Sequence, residues 1–583
     1  MLSPSSQPTN NGFLIVDGGL SLIAIALAFA WPALGSRFFL RIEHAFLPLA
    51  KNKGLAVAVT GLSVILFRLA ILPIYPVPAP FCADDFSFLL ACNTFASGRL
   101  TNPTPEVWHS FETIHVTMTP TYMSMYFPGQ GLLLAAGKVL LGDPWFAVLI
   151  ASALMCAAIC WMLQAWLPAG WAFFGGLIAV LRLGIFSYWT NTYHAGGSLA
   201  ALGGALILGA LPRLTKTGRI RYALPMAVGM AILCLTRPFE GVLLSLPVTV
   251  VMVHWMVAGK NRPRPADLMR GAVLPLAIVI GAVAWLGFYD YRAFGNPLTL
   301  PYVVDRTTYA IAPYYIWQQA RPEPTYRSLE MRRFYEESEL PFYQKIHSPI
   351  GFVPKTLEKV VLTLVYYAGF TLLLPLIMIR RVFLDRRIRL LTVCVLILMA
   401  GMVIEIYLLP HYVAPFTAVF YAIGLEAMRH LRMWKPEGKP VGIAQVRLAM
   451  TVIVILAGLR LFVRPLHIVP SEWPPSNWNF TWFGPEHFGL ERAQVESRLE
   501  ARPGPQLAIV RYKPHHQVLD EWVYNNPDID DSKVVWAREL DSADNRELID
   551  YYRNRTVWLV EPDTNPVSVT PYPDQLAGSA AAH

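Results

Sequence analysis

Asp84 and Asp85 lie side by side in APFCADDFSFLLACNTFASGRL, a few residues past the end of a long apolar run. A carboxylate at a membrane edge can take a proton from a sugar or protein hydroxyl if it reaches that proton by a hydrogen bond. It can also hold a divalent cation. The same pair suits a plainer task, because Asp is a strong N-cap residue, negative charge is favoured at a helix start, and FSFLLACNTFASG reads as a helix. The residues alone leave both readings open. Arg237 and Glu240 stand in LTRPFEG, where a proline interrupts an apolar stretch. The planar fork of arginine matches the oxygens of a phosphate; three apart on a helix, the two side chains can equally pair with each other. His411 and Tyr412, in LLPHYVAP, can each donate a hydrogen bond to a phosphate, though tyrosine also gathers at membrane interfaces because its ring is amphipathic. His194, in TNTYHAGGSLAALGGAL, opens a glycine-rich helix whose small residues let neighbouring helices come close. It joins Arg237, Glu240, His411 and Tyr412 as a candidate substrate contact.

What must position these residues is a set of apolar helices. Of 583 residues, 55% are hydrophobic and 15% charged, against roughly 25% charged in a soluble domain; the mean hydropathy is +0.42. Apolar windows of roughly 20 residues, the length a bilayer core demands, recur up to about residue 464 and then stop. The sequence predicts an α-helical polytopic membrane protein of about 12 spans with a small C-terminal α/β domain. The N-terminus, MLSPSSQPTNNG, lacks the basic region of a cleaved signal peptide, so the apolar run at 19–35 is expected to be retained.

The basic residues cluster beside the spans, as the positive-inside bias requires. The net charge of +9 is therefore no footprint of a nucleic-acid partner, which would show as a patch or a binding motif. The segment GSRFFLRIEHAFLPLAKNKG and the loops PRLTKTGRIRY, GKNRPRPADLMRG, RRVFLDRRIR and RHLRMWKPEGK are expected to be cytoplasmic. Two long loops, 78–128 and 294–357, the turn LLPHY and everything after 464 fall on the opposite side. Residues 1–54 form an N-terminal helix and cytoplasmic loop, 55–464 the transmembrane domain, and 465–583 the outer domain. One segment among 129–212 must be partial for the charges to agree, and 129–142 is the shortest. Arg182, Glu405 and Lys138 fall within apolar segments. A mid-membrane charge costs about 2.5–3.5 kcal/mol on insertion scales, so each should face a partner or a wet cavity.

After a linker rich in Pro and Trp (HIVPSEWPPSNWNFTWFGPEH), the apolar runs QLAIVRY, KVVWAREL and TVWLVEP read as strands. The stretches DEWVYNNP and ADNRELIDYY between them read as helices, the alternation of a small α/β unit. It holds no glycine-rich phosphate loop, and HExxH, CxxC pairs and GxSxG are missing from any suitable context. Of the six cysteines, Cys156, Cys160, Cys234 and Cys394 sit in spans, where small buried packing is the default. Cys82 and Cys92 share the first outer loop, and a disulfide between them needs a geometry that spacing cannot establish.

An acidic outer loop, then YFPGQGLLLAAGKVLLG, then LTRPFEGVLLSLP and PHYVAPFTAVFYAIG follow one another in this order. Over roughly 55–430, this order resembles the GT-C glycosyltransferases, the superfamily of protein O-mannosyltransferases and lipid A aminoarabinose transferases. The resemblance implies a polyprenyl-phosphate sugar donor entering from the bilayer of a cell envelope, in a bacterial inner membrane, and an unknown glycan, lipid or protein acceptor on the outer face. It implies that Asp84 or Asp85 acts as catalytic base or as ligand of a divalent metal, the one cofactor it allows. Basic help for the departing phosphate would come from Arg237 and His411. The chain departs from the pattern at Phe127, where the aminoarabinose enzymes carry a Lys before the Pro, and at His411, where relatives often have Arg. Two other classes fit a polytopic chain: a transporter or flippase, against which the missing internal repeats speak, and a non-catalytic assembly subunit.

Overall fold

The computed structural model describes residues 12–194, 196–462 and 490–573. The apolar runs become helices because only an internally hydrogen-bonded backbone is tolerated in hydrocarbon. Among the described residues, seven helices are long and apolar enough to cross a membrane: Phe13–Ala30, Lys53–Ala70, Pro144–Trp166, Gly197–Thr217, Pro238–Ala258, Pro265–Phe294 and Val441–Leu461. An eighth crossing arises if Pro349–Tyr367 and Gly369–Leu384, bent by 103° at their junction, form one span, and Ala169–Gly184, Ile220–Thr236 and Arg389–Ile404 are shorter apolar helices. The chain is a multi-pass membrane protein. Pro128–Leu141 has 14 residues, about 21 Å at 1.5 Å per residue, short of the roughly 30 Å core and consistent with a partial segment. The basic segment after the first helix, expected as a loop, is instead the helix Ser36–Lys51. Its Glu43 ties it to the bundle through Arg432 and Arg447, each at 3.0 Å.

Several charges inside apolar segments have partners, though the buried Asp290 carboxylate has no hydrogen-bond partner among the described residues. The 103° bend exposes backbone groups that a continuous helix would pair. Asp17 of the first helix accepts hydrogen bonds there from the Phe370 N–H (3.1 Å) and the Thr371 hydroxyl (2.5 Å), while Arg182 donates to the Tyr366 carbonyl at 3.1 Å. Lys359 donates to the carbonyls of Met402 (3.0 Å) and Glu405, placing a cation at the C-terminus of Arg389–Ile404, where the helix dipole favours it. Lys138 reaches out to the Asn93 side-chain oxygen at 2.7 Å.

The glycines after His194 serve close packing. A Cβ on Gly204 would lie 1.9 Å from the Pro415 carbonyl oxygen, so Gly197–Thr217 touches the backbone of the turn that follows His411 and Tyr412. Gly204→Ala is expected to cost about 1–3 kcal/mol through overpacking, read as a lower thermal unfolding midpoint in detergent.

Two loops and the C-terminal domain gather at one end of the bundle. The first loop carries the helix Ala83–Ala96 and three short antiparallel strands, β1 (Asn102–Pro103), β2 (Val116–Thr117) and β3 (Thr121–Ser124), in the order β1-β3-β2. The domain holds β4 (Gln506–Val510), β5 (Val534–Arg538), β6 (Thr556–Glu561) and β7 (Ser568–Pro571) in the order β5-β4-β6-β7, the first three parallel. Every residue of β4 is buried, as the central strand of a parallel sheet must be. The three expected strands and the helix Ser542–Tyr551 are present. DEWVYNNP is not a helix but an extended strap, because its backbone finds side-chain partners instead. The Trp522 N–H donates to the Tyr512 hydroxyl (2.7 Å), and the Asn525 amide pairs with both backbone groups of Trp536 (2.7 and 2.8 Å). The expected linker at 467–487 lies outside the described residues. Phe86, Ile114, Tyr309 and Tyr335 of the two loops share one apolar core with Leu507, Tyr524 and Val535 of the domain. Cys82 and Cys92 are both free thiols: ten residues apart along one helix, they stand about 15 Å apart at 1.5 Å per residue, beyond disulfide reach.

Candidate functional site

The helix Ala83–Ala96 begins after the N-cap residue Cys82, so Asp84 and Asp85 both sit in its first turn, and consecutive helical residues point in different directions. Asp85 points inward and is fully buried. Its Oδ1 accepts from the backbone N–H groups of Tyr193 and His194 (2.8 Å each) and meets His194 Nδ1 at 2.9 Å; its Oδ2 accepts from the Phe81 N–H at 3.4 Å. Asp85 thus ties the first loop to the chain entering the glycine-rich helix. The N-cap role open to the pair in the sequence is not realised, because Cys82 is the N-cap and no side chain caps the helix; the role of Asp85 is tertiary.

Asp84 points the other way and keeps 25% of its side chain exposed. Its Oδ1 meets His115 Nδ1 at 2.7 Å and accepts from the Tyr126 hydroxyl, while its Oδ2 has no hydrogen-bond partner among the described residues. Burial opposes the charge on Asp84, but His115 and the Tyr126 hydroxyl outweigh it and hold the carboxyl well below the usual range. Burial likewise opposes a charged His115, and Asp84 raises its pKa above the ordinary value. The two form an ion pair. His115 adopts φ 64°, a left-handed conformation costly for a side chain other than Gly. Its carbonyl is clamped by Ser87 Oγ (2.7 Å) and the Met125 N–H (3.2 Å). Neither His115 nor Tyr126 stands out in the sequence, since only the fold of the loop brings them to Asp84.

The linkage has a definite sign. The depressed Asp84 contributes stability above 3.8 that is lost as pH falls through its folded value. The raised His115 contributes stability below 6.5 that is lost as pH rises through its folded value. The gap in unfolding temperature between the native chain and His115→Gln is therefore expected to be widest between 3.8 and 6.5 and to narrow at higher pH, a comparison made by thermal unfolding across pH 4–9.

Arg237 caps the helix Ala223–Thr236 and precedes Pro238–Ala258, the break expected from its proline. Its guanidinium lies 4.3 Å from the centre of the Tyr412 ring. It makes no direct salt bridge among the described residues, so the pairing with Glu240 is one of charges acting at a distance; Glu240 is buried in the next turn. His411 is buried, with Nδ1 3.0 Å from the Tyr188 hydroxyl and its ring 6.2 Å from that of His194. Burial first, then the positive charges of Arg237 and His194, push His411 well below its ordinary value. The resemblance implies basic help for a phosphate from His411; its surroundings instead disfavour a charge on it, leaving it the hydrogen-bonding role that its sequence position also allows. The Asp84 carboxylate acts electrostatically on His411 and Tyr412 as well, so Asp84, His194, Arg237, His411 and Tyr412 line one region. Phe127, at the position of the expected lysine, lies 6.4 Å from the Tyr302 ring and supplies no charge.

Cys82, Asp85 and His194 bring three metal-ligand atoms within 4.8 Å of one another. Asp85 Oδ1 is already taken by N–H donors, however, and a metal there would displace them. At Asp84, a divalent ion would meet the positive His115 ring.

No protein-family model matches the chain, and no curated protein matches it in sequence. Among solved structures it is similar to ArnT from Cupriavidus metallidurans in the apo state, with 13% identity, covering 90% of this chain and 95% of that one at a TM-score of 0.46. The same protein bound to undecaprenyl phosphate gives 12% identity over 89% and 94% at 0.46. The oligosaccharyltransferase of Archaeoglobus fulgidus, in complex with Zn and sulfate, gives 10% identity over 87% and 67% at 0.47.

Proposed function

We propose that this protein is a membrane glycosyltransferase that moves a sugar from a polyprenyl-phosphate donor to an acceptor on the outer face of the membrane. One observation carries the reading. Arg237, which makes no direct salt bridge among the described residues, faces the same region as a carboxylate with an open oxygen, Asp84, at the end of an apolar bundle where a lipid-borne phosphate would arrive. In this reading the acceptor oxygen attacks the anomeric carbon, the bond from that carbon to the phosphate oxygen breaks, and the sugar inverts. The phosphate leaves on its lipid, its growing negative charge met by Arg237 and by hydrogen bonds from His411 and Tyr412. The acceptor proton goes to Asp84 Oδ2. A carboxylate held so acidic by His115 takes a proton only late, when the attacking oxygen has become strongly acidic. The outer placement of the site rests on the basic segments lying at the opposite ends of the spans.

The test is made in proteoliposomes supplied with polyprenyl-phosphate-linked mannose or aminoarabinose. Release of polyprenyl phosphate with loss of the sugar supports the reading. Movement of intact donor between leaflets, with no release, replaces it with a flippase. An impermeant maleimide that labels Asn526→Cys from the cytoplasmic side alone overturns the outer placement.

A further inference from the structure

We infer that a residue of the C-terminal domain, Tyr524, positions His115 against Asp84. The inference rests on the reading of Asp84 above and assigns the domain a task that the chemistry does not otherwise explain.

The strap containing Tyr524 runs along the first loop. The Tyr524 ring stacks on Phe86, centroids 4.6 Å apart and planes 8° apart, two residues beyond Asp84 on the same helix. Its hydroxyl donates to the Ile114 carbonyl at 3.1 Å, the residue before His115. One side chain therefore grips both partners of the ion pair: the helix that carries the acid, and the chain that must hold a left-handed histidine. The grip is itself fixed. Arg492 lies 4.5 Å from the Phe86 ring centre and donates to the carbonyls of Trp522 and Tyr524 at 3.0 Å each. Asn525 locks the strap to β5, and Tyr122 donates to the Asn525 carbonyl at 2.9 Å. A left-handed His115 is a conformation the chain does not keep unaided, and a small misplacement of a reacting group is costly in rate.

The experiment compares full-length native protein, Tyr524→Phe and Tyr524→Ala in detergent and in proteoliposomes. Tyr524→Phe keeps the stacked ring and removes only the bond to Ile114. Hydrogen exchange at residues 112–118 is expected to rise about tenfold in Tyr524→Phe and further in Tyr524→Ala, with β4 unchanged. With polyprenyl-phosphate-linked sugar as donor, kcat is expected to fall by about ten- to a hundredfold with KM for the donor unchanged, since Arg237 is untouched. Unchanged exchange at 112–118 overturns the inference. So does faster exchange with unchanged kcat while Asp84→Asn abolishes transfer, because Tyr524 is then structural only. If Asp84→Asn transfers normally, the functional reading fails, and the exchange result alone decides whether Tyr524 holds the pair.

Discussion

Asp84→Asn is expected to slow transfer by about 10²–10⁴-fold, the usual range for removing a positioned proton acceptor, while the chain stays folded with its unfolding temperature lowered, as in His115→Gln, by the lost ion pair. Asp84 is the partly exposed acid of the pair, its Oδ2 open, and only His115 and Tyr126 bond to it. Asparagine fills the same space and still accepts from Tyr126, so the fold survives and the chemistry does not. Asp85→Asn gives the opposite signature. Its carboxylate accepts from Phe81, Tyr193 and His194 in a site closed to solvent, and an amide turns one of those acceptors into a donor. The expected cost is about 1–3 kcal/mol of stability. Transfer and thermal unfolding, measured on both variants, separate the two; equal transfer by native and Asp84→Asn protein removes Asp84 from the chemistry.

Arg237→Ala is expected to lower kcat by about 10²–10³-fold, the scale of losing one preorganised group at a developing negative charge. Arg237→Lys should recover only part of that loss. A lysine restores the charge, but not the flat fork that lies over Tyr412 and could bridge two phosphate oxygens. Arg237 makes no salt bridge among the described residues, but its charge acts on the buried Glu240 and Glu405, so its removal is expected to lower the unfolding temperature as well. Transfer kinetics with a polyprenyl-phosphate sugar measure the loss. A variant that raises KM alone, with kcat intact, would mean that Arg237 binds the donor without acting on the departing phosphate.

The gathering of Asp84, Arg237 and His411 was legible in the sequence because it follows from sidedness: basic segments fix which span ends share a face, and these residues stand at one face. Three of the four strands of the C-terminal domain were legible from their apolar runs; β7 was not. What was not legible depends on contacts across the fold. DEWVYNNP has helical-looking composition, yet Tyr512 and Glu521 offer its backbone N–H groups other partners. Nothing in two adjacent aspartates says which one turns inward; that is decided by Tyr193 and His194, over a hundred residues away. The resemblance gives His411 a basic role, but burial and two positive neighbours push it well below its ordinary value. His115 carries no signal in its spacing, since its place beside Asp84 comes from the turn of a loop held by other parts of the chain.

The bond between Asp17 and Thr371 joins residues 354 positions apart. At roughly 5–20 residues per second of synthesis, the acid of the first helix is made about 20–70 s before the bend that satisfies it. During that interval Asp17 must sit in the insertion machinery, at the headgroup layer, or against a helper, because an unmatched acid is expensive in hydrocarbon. The first helix is therefore inserted early but finished late, and a chain that stalls before residue 371 leaves behind a fragment whose opening helix still displays its acid to whatever removes incomplete membrane proteins.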